Sequence, residues 1–157
     1  MSTKELLWRY ADKYERTFPS PDPSEIMLAA KGGDANVEAT AFVASCLSFG
    51  SIKQFMPKIE SLIAFAKGDM DGWIRSGAFM RQIPDDADRT FYRFVKYANL
   101  HAFLCAYRRV MRAHGTLGGY VRAKGDGTGL GAVTAICSAF AGSGASYLVP
   151  ANATSAC

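Results

Sequence analysis

Apolar residues recur at helical spacing along most of this chain. Ser2-x-x-Glu5 reads as a capping box ahead of Leu6, Leu7, Tyr10 and Tyr14, so the spacing predicts an amphipathic helix from about Thr3 to Arg16. Phe18-Pro19-Ser20-Pro21-Asp22-Pro23 then fixes φ and removes donors at three prolines, predicting a rigid loop. Ser24 caps a short helix through Ile26, Met27 and Leu28, which Gly32-Gly33 ends. From Asp34, read as an N-cap, to Gly50, the residues Val37, Ala39, Ala41, Phe42, Val43, Ala44, Cys46, Leu47 and Phe49 leave nearly every face apolar or small. Such a helix is central to a bundle, where small side chains let neighbouring backbones approach.

Ser51-x-x-Gln54 repeats the capping-box pattern, and Ile52, Phe55, Met56, Ile59, Leu62, Ile63 and Ala66 carry a helical stripe to Lys67-Gly68, with a kink expected at Pro57. The pattern weakens from Asp69 to Asp88, where Trp73, Ile74, Phe79 and Met80 anchor a short helix and loops. Thr90 to Tyr97 has strand composition, but a lone strand has nothing to pair with, so an extended loop is expected. Asn99 reads as the cap of the best amphipathic helix, formed by Leu100, Phe103, Leu104, Tyr107, Val110 and Met111 and ended by Gly115. Leu117, Tyr120 and Val121 predict a further short helix, and Leu130, Val133, Ile136, Cys137 and Phe140 another. The sum is an all-α helical bundle in one domain over residues 1–157.

Composition agrees with a globular chain: 49% of the 157 residues are hydrophobic and 20% charged, and the mean hydropathy is zero. There is no basic-then-apolar leader and no apolar run near the roughly 20 residues of a bilayer span, so a cytoplasmic protein without a membrane segment is expected. Cys46, Cys105, Cys137 and Cys157 are too dispersed for a zinc ribbon, an iron–sulfur loop or a disulfide framework, and read as buried thiols. The sequon at Asn152 has no use in a protein outside the secretory path.

Charge changes the picture more. Residues 1–88 hold 10 basic and 13 acidic side chains, whereas 89–124 hold Arg89, Arg93, Lys96, Arg108, Arg109, Arg112, Arg122 and Lys124 and no acid. Phe91, Tyr92, Phe94 and Tyr97 interleave with the first three cations. A phosphate backbone is followed by such a composition, through counterion release and stacking of bases on aromatic faces. The competing account is a solvated basic face, with Arg108, Arg109 and Arg112 opposite the apolar stripe of their helix and some of the aromatics serving as core anchors.

Other candidates for chemistry fail on spacing. Gly125-Asp126-Gly127-Thr128-Gly129-Leu130-Gly131 breaks the dinucleotide pattern at Leu130 and lacks the Lys-Ser/Thr ending of a P-loop, so it reads as a flexible connection. Asp85-Asp86-x-Asp88 lacks the glycine and closing Glu of a calcium loop. His101 and His114 have no metal-binding partner at helical spacing, and no nucleophile has a visible base. No catalytic residue, metal or cofactor is expected in these residues.

The segments Gly33-Asp34-Ala35-Asn36-Val37-Glu38, Phe42-Val43-Ala44, Leu47-Ser48-Phe49-Gly50-Ser51, Phe91-Tyr92-Arg93-Phe94 and Asn99-Leu100 resemble a family of uncharacterised bacterial proteins, domain of unknown function 2400. Tyr147-Leu148-Val149-Pro150 and Ser155-Ala156-Cys157 extend the resemblance, since family members carry a similar run before a basic, aromatic helix that is missing here. The chain accordingly resembles the N-terminal two thirds or so of a member, truncated at its C-terminus. That family is distantly similar to helix-hairpin-helix DNA glycosylases of the endonuclease III type. The similarity implies a helical bundle in which the hairpin and a catalytic Asp lie beyond these residues. It also implies that Ser48-Phe49-Gly50-Ser51 falls at a helix-turn junction near DNA, with Lys53 and Gln54 opening the next helix. Arg93 matches an Arg common in the family. Two departures stand against repair activity: no iron–sulfur cysteine set, and a Ser-Phe-Gly-Ser turn where glycosylases are more polar.

The expectation is a DNA-binding, glycosylase-like helical part without a complete active site, contacting nucleic acid through Ser51, Lys53, Gln54, Arg89, Arg93, Lys96, Arg108, Arg109 and Arg112. Catalysis, if any, would belong to a full-length relative. The alternative is a helical protein–protein interaction domain; self-association would fit either its partner site or a core opened by truncation.

Overall fold

The computed structural model describes residues 2–16 and 23–155. Among them are eight α-helices and one two-stranded sheet: α1 (Thr3–Arg16), α2 (Pro23–Ala29), α3 (Asp34–Leu47), α4 (Ile52–Phe65), α5 (Met70–Ser76), β1 (Thr90–Tyr92), β2 (Val95–Lys96), α6 (Tyr97–His114), α7 (Leu117–Lys124) and α8 (Gly129–Phe140). Short 3-10 turns lie at Ala78–Arg81 and Ala153–Ser155. The mainly helical class matches the pattern in the sequence. Of the rigid loop expected over Phe18 to Pro23, positions 18–22 lie outside the described residues, like 1, 17, 156 and 157, and Pro23 is the first residue of α2.

Local chemistry sets most helix ends. At α1 the capping box closes: Glu5 N–H donates to Ser2 Oγ at 3.2 Å and Ser2 N–H to the Glu5 carboxylate at 2.6 Å. The second predicted box does not. Ser51 caps α4 without a side-chain bond, its carbonyl instead accepting from Gln54 and Phe55 N–H at 2.9 and 3.1 Å. Asp34 is the first residue of α3 rather than its cap, which is Gly33; a carboxylate in the first turn still suits the helix dipole. α4 continues through Pro57 to Phe65. It closes in a Schellman motif, with Lys67 N–H bonded to Ala64 O at 3.1 Å and Gly68 N–H to Ile63 O at 3.0 Å.

Two further expectations are corrected. Thr90 to Tyr97 is not an unpaired loop: it doubles back, pairing Thr90 with Lys96 and Tyr92 with Val95 in an antiparallel hairpin. Burial of Phe91, Tyr92 and Val95 against the helices supplies what an isolated hairpin lacks. Asn99 does not cap α6 either. The helix starts at Tyr97, and Asn99 Oδ1 reaches back to accept from Lys96 N–H at 2.9 Å.

The core lies between α3 and α6. Ala39, Val43, Ala44 and Leu47 of α3 are fully buried, and the small Ala39 and Ala44 let neighbouring helices approach; α2, α4, α5 and α7 all pack on α3. α6 contributes Leu100, Phe103, Leu104, Tyr107, Val110 and Met111. Where the two meet α8, Phe42, Tyr107 and Phe140 form an aromatic knot, with Phe42 centroids 5.0 Å from Tyr107 and 5.5 Å from Phe140. Met80 and Leu130, read as apolar anchors from the sequence, are exposed. α1 also leaves Leu6, Leu7, Trp8 and Tyr10 in solvent, with Leu7 64% and Trp8 67% exposed.

Candidate nucleic-acid interface

The β1–β2 hairpin is fastened to the turn between α3 and α4. The Tyr92 hydroxyl donates to Phe49 O at 2.6 Å, and the Phe49 ring lies 5.1 Å from Tyr92 and 5.3 Å from Phe94, stacked on the latter. Gly50, at φ +85°, is required twice over. Its backbone favours glycine, and a Cβ would displace the Arg93 guanidinium and come within 3.0 Å of the Tyr92 hydroxyl. Arg93 therefore lies over the Gly50-Ser51 turn, at the start of α4, where Ser51, Lys53 and Gln54 are exposed. A shallow groove between α4 and β1 is lined by Gln54, Lys58, Thr90, Phe91, Tyr92 and Arg93.

Around this corner the cations are held by ring faces and hydroxyls. Arg89 lies 4.2 Å over the Tyr97 ring and donates to its hydroxyl at 3.3 Å. Lys58 Nζ is 5.5 Å from the Phe91 centroid, and Lys96 Nζ donates to Thr90 Oγ1 at 3.2 Å. The aspartates gather at the open end of the hairpin. There Asp86 Oδ1 accepts from Asp88 and Arg89 N–H at 3.0 Å each, while Asp86 O accepts from Ala98 N–H at 3.0 Å. The opposite end, the Arg93-Phe94 tip, is cationic and aromatic.

Of the nine residues singled out by sequence, Ser51, Lys53, Gln54 and Arg93 lie together at the start of α4, while Arg89 and Lys96 sit at the open end of the same hairpin. Arg108 has another task. Its Nε and Nη2 donate to Arg75 O and Ser76 O at 3.0 and 3.1 Å, closing the C-terminus of α5. Arg75 answers from α5, donating to Met111 O and Gly115 O of the α6 C-terminus at 3.2 and 2.8 Å while paired with Asp71 at 2.7 Å. Arg109 and Arg112 are exposed, but about 18 and 23 Å along α6 from its first residue at 1.5 Å per residue. They form a separate basic face. Of the four interleaved aromatics, Phe91 and Tyr92 are core, Tyr97 lies under Arg89, and Phe94 is 52% exposed.

Sequence reading missed two participants of the hairpin surface and one contact that serves the fold. Lys58 shares a face of α4 with Gln54 at i+4, a signal that was available. Tyr147, whose ring is 5.5 Å from Phe94, is distant in sequence and carries no local signal. Glu38 of α3 is the third, accepting from Leu117 and Gly118 N–H at 2.7 and 3.0 Å and so holding the start of α7.

The remaining candidates are accounted for by the fold. Asp126 Oδ1 accepts from Thr128 N–H and hydroxyl at 2.9 and 2.6 Å, and Thr128 Oγ1 accepts from Gly131 N–H at 2.9 Å. The glycine-rich segment is therefore the capped start of α8, and the Thr128 bonds hold the Asp126 carboxyl below the usual range. Burial pushes the Cys46 thiol up to about 12 and the Cys105 thiol upward as well. His101 Nδ1 meets Ile83 O at 2.7 Å. Among the described residues no His, Cys, Asp and Glu converge as metal ligands, and no helix is long and apolar enough to cross a membrane.

No curated protein and no solved structure matches this chain. A family model does, over residues 22–157, a span that contains the hairpin, the Gly50-Ser51 turn and every cation of the corner. The chain belongs to the family described as protein of unknown function (DUF2400).

Proposed function

We propose that the corner formed by the start of α4 and the β1–β2 hairpin contacts a nucleic-acid backbone, and that the chain is the helical part of a DNA-glycosylase-like protein. One observation carries the first statement. Lys53 and Arg93 lie at the start of α4, and Arg89 and Lys96 farther along the same hairpin, with no carboxylate ion-pair partner among the described residues. Lys53 and Arg93 flank a helix start whose Ile52 and Lys53 N–H groups find no acceptor among those residues. Exposed cations beside free first-turn amides suit a phosphate. The second statement is supported by the resemblance of the Ser48-to-Ser51 turn to a glycosylase junction near DNA. Binding, not bond-making, is the role assigned to these residues.

A salt titration of binding to a labelled duplex tests it. If four cations each neutralise one phosphate, log K falls with log salt at a slope of about −3.6. Replacing Lys53 and Arg93 by Ala halves that slope, and replacing Arg109 and Arg112 leaves it unchanged. An affinity flat with ionic strength sinks the proposal.

A second reading, a helical protein–protein interaction domain, is favoured by the apolar side of α1. Leu6, Leu7, Trp8 and Tyr10 are all exposed on a helix of mixed charge. Its signature is a mass in sedimentation equilibrium that rises with concentration and returns to the monomer on replacing Leu7 and Trp8 by Ser.

A further inference from the structure

We infer that the hairpin tip is a stacking platform for unpaired bases, Phe94 offering the ring and Arg93 the cation, so that the ligand of the corner is a single-stranded or locally unpaired nucleic acid. This inference rests on the backbone contact proposed above and specifies its partner. The argument begins with two adjacent positions that defy local stability. A two-residue hairpin loop whose first position alone takes positive φ is made cheaply by Gly at that position. Here that position is Arg93, at φ +51°, and the next is a phenylalanine 52% exposed. Strain in a non-glycine residue and an apolar ring in water persist together at a tip where small polar residues would serve the fold better.

The surroundings hold the ring in place. Phe94 stacks on Phe49 at 5.3 Å and 20°. Phe49 is fixed in turn by Tyr92, whose hydroxyl donates to its carbonyl at 2.6 Å. Tyr147, 57% exposed, lies 5.5 Å from Phe94 and widens the aromatic surface. The result is a rigid aromatic step bordered by Arg93 and the exposed start of α4. Every base has a π-face, so such a step with adjacent cations binds unpaired nucleotides with little regard to sequence. In a duplex both faces of each base are already stacked, and access requires unstacking. Arginine with aromatics also suits a protein hot spot. Among the described residues no carboxylate pairs with the cation at the tip, and the aspartates are kept at the far end of the hairpin, which favours a polyanion.

The experiment compares fluorescein-labelled dT15 with a 15-base-pair duplex by anisotropy at matched salt, using the whole chain. The wild type is expected to hold dT15 more tightly than the duplex. Phe94→Ala weakens dT15 binding on the order of tenfold while leaving its salt slope unchanged, and Phe94→Trp restores it. Thermal melts of both variants confirm folding, which a half-exposed position tolerates. Duplex binding with the expected slope but no preference for dT15, or no effect of Phe94→Ala, overturns the platform and leaves the backbone contact standing. Binding to neither removes both. Displacement of dT15 by an acidic peptide whose own affinity depends on Phe94 overturns it in favour of a protein partner.

Discussion

Arg93 and Lys67 hold φ at +51° and +53°, a region that disfavours any side chain with a Cβ. The two residues separate stability from function. Lys67 closes α4 and lies away from the corner, so Lys67→Gly should raise the unfolding free energy by roughly 0.5–1 kcal/mol in urea titrations and leave binding alone. Arg93→Gly should keep or raise stability while weakening nucleic-acid affinity; a loss of stability in both variants sinks the strain argument. Cys46 provides a pH test. Its thiol is raised from 9.0 to about 12 by burial, so below pH 9 both folded and unfolded chains carry it neutral. Between pH 9 and 12 the unfolded chain ionises first, and stability falls as pH rises, by up to about 1 kcal/mol per unit. Tyr107, raised by burial, adds to the fall above pH 10. Urea midpoints at pH 8.5 and 10.5 should therefore drop less in Cys46→Ala than in the wild type, and the native Cys46 thiol should resist alkylation at pH 8.5.

At the scale of elements, charged side chains join helices far apart in sequence. Arg75 and Arg108 each close the C-terminus of the other's helix, placing cations where the α5 and α6 dipoles are negative. Arg108→Met should cost about 1–2 kcal/mol in chemical denaturation with the salt slope of DNA binding unchanged; a reduced slope would return Arg108 to the interface. The amphipathic stripe of α6 showed where its cations point in general, but not which of them a neighbouring helix end engages. The hairpin was illegible for a related reason: its strands are two and three residues long, and a stretch that short reads as loop until burial of Phe91, Tyr92 and Val95 stabilises it.

Over the whole molecule, order should grade from the α3–α6 core outward. α1 is a 14-residue helix with Leu6, Leu7, Trp8 and Tyr10 exposed, near the length at which isolated helices are marginal in water. Hydrogen exchange should show α1 amides exchanging well ahead of those in α3 and α6. Equal protection would mean that α1 is covered in solution, and would favour the interaction-domain reading. Charge at this scale divides into two basic faces: the corner, and the outer side of α6 with Arg109 and Arg112. Salt dependence measured on variants of each face apportions affinity between them.

By itself the sequence determined the helices, because periodic burial and caps such as Ser2 with Glu5 act within a few residues, and it marked 89–124 as the basic segment because charge is additive along a chain. The tertiary structure decided which cations share a surface. The Gly50 backbone, the Tyr92 hydroxyl and the Phe49 ring bring Arg93 to the start of α4 across 43 residues, whereas Arg108 is drawn to a helix end and Arg109 is carried along α6. Such choices rest on close approach between elements distant in sequence, which no local pattern encodes.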